Sequence, residues 1–267
     1  MTDSTPSARF QKIGIFDSGV GGLTVLAALR KRFPELDYVY FGDTANLPYG
    51  TKSPAQIAKL SRESARLLMR EQVDGVVIAC NTASALGMEA VREELGGLPV
   101  LGVVEPGVDA VLRAKETLPS TAPVLILATR ATVKSGAYLR GLKARGVQDV
   151  FEQACPLLVP LIEEDWTQHP VLDLTLEEYV RPVRDLGVPG VALLGCTHYP
   201  WILESFERAL PGWTVVNSAS AVAEAVSLQI LAPQTARSAR RGAVRWLFSD
   251  PDAVPSFASR WIEAESR

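Results

Sequence analysis

The sequence predicts an α/β protein of two pseudo-symmetric lobes, each a mainly parallel sheet flanked by helices, with the active site between them. Three observations point there. Short apolar runs rich in Val, Ile and Leu alternate with longer stretches of helical periodicity, the pattern of strand and helix units around a parallel sheet. The chain has 267 residues, and single hydrophobic cores stop growing at roughly 250 to 300 residues, where chains divide. Two distant segments also share a layout. In each, an early strand ends in a polar turn (IFDSG; ILATRAT). A later apolar strand then ends in a small residue, a cysteine and a threonine-containing turn: ACNT from Ala79 and GCTH from Gly195.

The elements follow in order. Lys12 to Phe16 reads as the first strand, followed by the glycine-rich turn DSGVGG and a helix from Leu23 to Phe33 that Pro34 ends. Tyr38 to Phe41 is the second strand. A helix from Pro54 to Glu71 has Ser53 as its N-cap and proline at its first position, and it repeats Ile57, Leu60, Ala65 and Leu68 along one side. Val76 to Ala79 is the next strand. After a turn-rich stretch, Pro123 to Ala128 restarts the pattern, and Val191 to Leu194 is a fully apolar strand. Thr235 to Arg241 is polar and basic, and AVPSFASRWIEAESR reads as a short amphipathic helix. Neither suggests a function.

Composition excludes several classes. A formal net charge of -3 supplies no positive field for phosphate backbones or anionic membranes, so no nucleic-acid partner is expected. The apolar runs fall far short of the roughly 20 residues of a spanning helix, so no membrane partner is expected either. The polar start MTDSTPSARFQK lacks an apolar signal region, which predicts a cytoplasmic protein. Three cysteines, an odd number without CxxC spacing, argue against both a disulfide framework and a structural zinc site. Reduced thiols and no metal are expected.

The chemistry concentrates on Cys80 and Cys196. Both directly follow apolar strands and precede polar turns that begin helices, and helix N-termini carry free amide donors and a partial positive charge that favour thiolate. A lone free cysteine is more often a small core residue; two in matched contexts reverse that balance. Cys155, in ACPLLVP, has no polar setting and reads as structural. Asp17 follows the first strand and points to the same strand-end crevice, where open α/β sheets bind ligands. His198, two residues past Cys196, is placed to exchange a proton with that thiol; His169 lies in a polar turn. DSGVGG lacks the GxGxxG spacing because Thr24 stands where the last glycine belongs, and the run around Gly50 and Lys52 fails the GxxxxGK[ST] pattern. No nucleotide site is read from either.

DSGVGGLTVL, FGDTANLPYG, ACNTAS, VVEPG, LATRATV, CPLLVPLIE and LGCTHYP together resemble the glutamate racemases, in that family's order, from about Ile13 to Ser220. The cysteine motifs alone indicate only the wider aspartate/glutamate racemase superfamily. The resemblance implies a second lobe (101–212) inserted into a first (1–100 with 213–267), and racemisation without a cofactor. It implies that Cys80 and Cys196 face opposite sides of the α-carbon, Cys80 with Asp17 serving the D-isomer and Cys196 with His198 the L-isomer. The polar turns then hold the substrate: Asn81, Thr82 and Thr197 at one carboxylate, Tyr49 and Gly50 at the other, and Asp17 and Ser18 at the ammonium group. Glu163, Thr129 and Thr132 are further pocket residues. A homodimer and a role in supplying D-glutamate for peptidoglycan also come from the resemblance. Three other readings stay open: a racemase of aspartate or a related acid, a hydrolase using Cys196 and His198, and a non-catalytic amino-acid-binding module.

Overall fold

A computed structural model describes residues 12–184, 186–229 and 241–265. Among these residues, nine strands form two wholly parallel sheets. The first contains β1 (Lys12–Asp17), β2 (Asp37–Gly42), β3 (Gly75–Ile78), β4 (Val100–Gly102) and, far along the chain, β9 (Val244–Phe248). The second contains β5 (Val124–Ala128), β6 (Val150–Ala154), β7 (Val191–Gly195) and β8 (Thr214–Asn217). The strand orders are β4-β3-β1-β2-β9 and β6-β5-β7-β8. Read from the other side, the second sheet runs β8-β7-β5-β6, the order of the first four strands of the chain with four added to each number. The likeness of the two halves therefore extends from the cysteine turns to the whole topology.

The two-residue period of the strands explains the layering. In the first sheet, Ile13, Ile15 and Val77 face one way, into a core with Leu23, Leu26 and Leu29. Phe16, Val39, Val76 and Ile78 face the other, against Ile57, Ala65 and Leu68 of helix Pro54–Arg70. In the second sheet, Leu125, Leu127 and Leu194 meet Leu172, Leu176 and Phe206, while Val124, Ile126 and Leu193 meet Val108, Val111 and Leu142. Strands buried on both faces read as unbroken apolar runs, which is why they were legible.

Helix Pro54–Arg70 starts as expected. The Ser53 hydroxyl accepts from Gln56 N at 3.3 Å and the Gln56 side chain accepts from Ser53 N at 3.1 Å, a reciprocal capping box. Helix Ser218–Gln229 contacts both Leu23–Arg32 of the first lobe and Val104–Lys115 beside the second sheet. The terminal segment does form a helix, Ser256–Glu265, and buried Arg30 pairs with Glu265 to fasten it to the first lobe.

The lobe limits expected from the sequence meet two sheet facts. β4 reaches Gly102 within the first sheet, and β8 extends the second sheet to Asn217, past 212. The chain then returns to the first sheet through β9. Of the basic stretch 235–241, only Arg241 lies among the described residues. No helix of the described residues is long and apolar enough to cross a membrane.

Candidate active site

Parallel strands point their carboxyl ends to one edge, and the two sheets turn those edges toward each other. Cys80 lies just past β3 and caps helix Asn81–Leu86, its Sγ accepting from Ala83 N at 3.5 Å. Cys196 directly follows β7, ahead of Thr197, His198 and a 3-10 turn from Tyr199. Both cysteines are buried, 5% and 6% exposed. They line the same cavity, of about 20 Å³, room for about one water.

Most of the predicted residues converge on this cavity. Beside each cysteine stand the residues that follow it, Asn81 and Thr82 on one side and Thr197 and His198 on the other. Ser18, Tyr49, Gly50 and Thr129 complete its polar lining. Three expected residues stand behind it. Asp17, fully buried at the end of β1, accepts from Thr197 Oγ1 at 3.2 Å and from Gly19 N at 2.9 Å. Thr132 closes a hydroxyl triangle with Thr82 and Thr129, with edges of 2.9, 3.0 and 3.1 Å. Glu163 meets His198 rather than the cavity, Oε1 to Nε2 at 2.8 Å. The Tyr49 hydroxyl donates to Asp43 at 2.6 Å, which commits its proton to that carboxylate.

The glycines of the first turn allow the lobes to approach. A Cβ on Gly21 would stand 2.4 Å from both His198 Nδ1 and Thr197 Oγ1, so only hydrogen fits where the turn after β1 meets the turn after β7. At Gly50 a Cβ would meet that of Thr129 at 2.7 Å, a second close approach.

Electrostatics distinguishes the two sulfurs. Burial pushes the Cys80 thiol up to about 12, and the Asp17 carboxylate adds to the rise; Ser18 and the Ala83 amide pull the other way. Asp17 is itself raised by burial, against the charge of His198 and the hydrogen bonds of Gly19, Gly22 and Thr197. For His198, burial opposes the charged form, but Cys196 and Glu163 outweigh it and hold the imidazole at about 10. The imidazolium then stands with Nδ1 4.0 Å from Cys196 Sγ. One thiol is thus kept protonated, while the other has a positive charge beside it.

Sequence reasoning missed Leu47, Pro48 and Val159, which supply the apolar lining. All three lie inside motifs already singled out, FGDTANLPYG and CPLLVPLIE, so their motif membership was the available signal. It also missed Tyr138, whose hydroxyl donates to Asn81 Oδ1 across the lobes. Cys155 is buried as expected and lines no part of the cavity.

Comparison with known proteins agrees with this geometry. The sequence pattern of the Asp/Glu/Hydantoin racemase family matches residues 24–226. A glutamate racemase of Aquifex aeolicus is 43% identical over 215 residues, covering 80% of this chain and 82% of the relative. Among solved structures, a glutamate racemase from Campylobacter jejuni superposes with a TM-score of 0.85 at 31% identity, covering 95% of this chain and 98% of the other. One from Francisella tularensis, in complex with D-glutamate, gives 0.82 at 31% identity over 95% and 94% of the two chains. The chain belongs to the Asp/Glu/Hydantoin racemase family, within its glutamate racemases, and is an amino-acid racemase, an isomerase.

Proposed function

We propose that this protein interconverts L- and D-glutamate without a cofactor, with Cys80 and Cys196 as the two acid/base groups. One observation carries the reading: two thiols, one from the carboxyl edge of each sheet, line a single buried cavity. In the L-to-D direction, Cys196 acts as the thiolate beside the His198 imidazolium and takes the α-proton. The electron pair of the broken C–H bond stays on the α-carbon and spreads into the α-carboxylate. The Cys80 thiol then delivers its proton to the opposite face, and the same pair forms the new bond. Cys196 ends as thiol and Cys80 as thiolate, and the D-to-L direction runs the steps backward, with Asp17 serving Cys80. Neither sulfur bonds to carbon.

The barrier falls because fixed dipoles in a closed site meet the charge growing on the carboxylate. Asn81, Thr82 and Thr197 hold the α-carboxylate, Tyr49 and Gly50 with Thr129 the side-chain carboxylate, and Asp17 with Ser18 the ammonium group. Glu163 orients His198. The reading includes a cytoplasmic homodimer, lobes of 1–100 with 213–267 and of 101–212, and a supply of D-glutamate for peptidoglycan.

The test replaces Cys80 and Cys196 separately with serine. Wild-type protein in heavy water yields product carrying deuterium at the α-carbon, and each variant loses racemisation by about a thousandfold, the scale of losing a positioned acid or base. A serine variant with undiminished turnover sinks the mechanism. Wild-type turnover of aspartate and not glutamate sinks the substrate assignment.

A further inference from the structure

Asn81 poses an accounting problem. It is 2% exposed and lines the cavity, yet its Nδ2 is a buried donor with no partner. Buried donors are nearly always satisfied, and an unsatisfied one costs free energy. An amide is also symmetric enough in shape to turn over and present its oxygen instead. Something must fix which of the two, NH2 or oxygen, the side chain presents.

We infer that Tyr138 is a positioning residue of the reaction: its hydroxyl, donated to Asn81 Oδ1, locks the amide so that Nδ2 points at a substrate carboxylate. The inference rests on the proposed reaction and adds a residue to it. Three observations support it. The Tyr138 hydroxyl donates to Asn81 Oδ1 from the facing lobe. With Oδ1 turned to the phenol, Nδ2 is the group left without a partner. Burial raises the Tyr138 phenol above its ordinary value, so it stays protonated and remains a donor.

The third observation is the slot that holds the ring. Tyr138 lies on helix Ala137–Ala144 and is 1% exposed. A Cβ on Gly107 would stand 2.9 Å from Tyr138 Cε1, and one on Gly195 would stand 3.2 Å from Cε2. Each edge of the ring thus abuts a glycine, and the ring has little freedom to swing. Gly107 closes the VVEPG motif, which no substrate contact explains; Gly195 immediately precedes Cys196. The Tyr138–Asn81 hydrogen bond also joins the second lobe to the first at the cavity.

The experiment is a double-mutant cycle with Tyr138→Phe and Asn81→Ala, read as steady-state racemisation of glutamate with thermal unfolding of all four proteins. Phenylalanine keeps the ring in its slot and removes only the hydroxyl. Tyr138→Phe is expected to lower kcat/KM about tenfold, the scale of one buried hydrogen bond. The loss falls on KM and kcat together, because the contact is made to the bound carboxylate and strengthens as charge grows on it. In the Asn81→Ala background the same substitution is expected to change kcat/KM by less than about twofold, since the group it acts through is gone. Gly107→Ala, which drives a methyl against Cε1, reproduces the KM rise and guards against a folding defect peculiar to Tyr138→Phe.

An undiminished kcat/KM in Tyr138→Phe overturns the inference. So does a loss of equal size in the Asn81→Ala background, or a loss confined to kcat. If the wild type turns over another acidic amino acid in place of glutamate, the substrate assignment fails alone and the cycle is read on that acid. A wild type that racemises none overturns both.

Discussion

Replacing Gly21 with alanine tests whether the close meeting of the two turns is needed for catalysis. Gly21 has no left-handed backbone angle, so alanine imposes no backbone strain there and the effect is one of space. The added carbon would stand 2.4 Å from His198 Nδ1, 2.4 Å from Thr197 Oγ1 and 2.8 Å from His198 Cε1. Ordinary contact is about 3.5 Å, so the neighbours must retreat by about 1 Å. His198 cannot simply turn away, since it is buried and its other ring nitrogen is held by Glu163 at 2.8 Å. The displacement therefore falls on the imidazole and on Thr197, or on the spacing of the lobes. A misplacement of about 1 Å in a positioned group costs about a hundredfold in rate. Overpacking costs about 1 to 3 kcal/mol, too little to unfold the chain. Racemisation followed by circular dichroism is expected to show kcat/KM down about a hundredfold in a protein that still melts cooperatively. Activity within about threefold of wild type would refute the reasoning, because the lobes would then not need to meet at this distance.

Two further outcomes follow from the surroundings of the sulfurs. His198 is held at about 10 in the folded protein against an ordinary 6.5. A raised value means that its contribution to stability is full below about pH 6.5 and is lost as pH climbs toward 10. Glu163→Gln removes part of the cause, so its melting temperature should fall less than the wild type's between about pH 7 and pH 9; parallel curves would count against the pair. Cys155→Ala is expected to keep racemisation within about twofold while costing about 1 kcal/mol of stability through lost packing. A large loss of turnover there would give the third thiol a role that its position outside the cavity denies it.

The parts of the fold that sequence reading found are those whose residues are buried on both sides. β1, β3, β5 and β7 are nearly all apolar and fully covered, so composition alone marks them. β6, with the sequence VFEQA, and β9, VRWLF, are edge strands with one partner each, and their mixed patterns carry no such mark. β8 escaped for the same reason, and with it the true extent of the second sheet. At the site, Cys80, Cys196 and the residues that follow them were legible because a strand end fixes where its next residues point. Glu163 and Tyr138 depend on tertiary pairing. Nothing near Glu163 in sequence says that it reaches His198, and Tyr138 finds Asn81 from 57 positions away. Local pattern cannot encode a partner brought near only by tertiary packing, within one lobe for Glu163 and between the two for Tyr138.

The matching strand orders of the two sheets bear on the energetics of the proposed reaction. Mirror-image substrate and product have equal free energy in water, so the forward and reverse specificity constants must be equal, whatever surrounds each sulfur. In the reaction proposed above, the near repeat gives each enantiomer its own half of the machinery, yet the halves are not alike: Asp17 is assigned to one and His198 to the other. That inequality is forbidden from appearing in the ratio at low concentration. It can surface only at saturation, as one enantiomer held more tightly and converted more slowly than its twin.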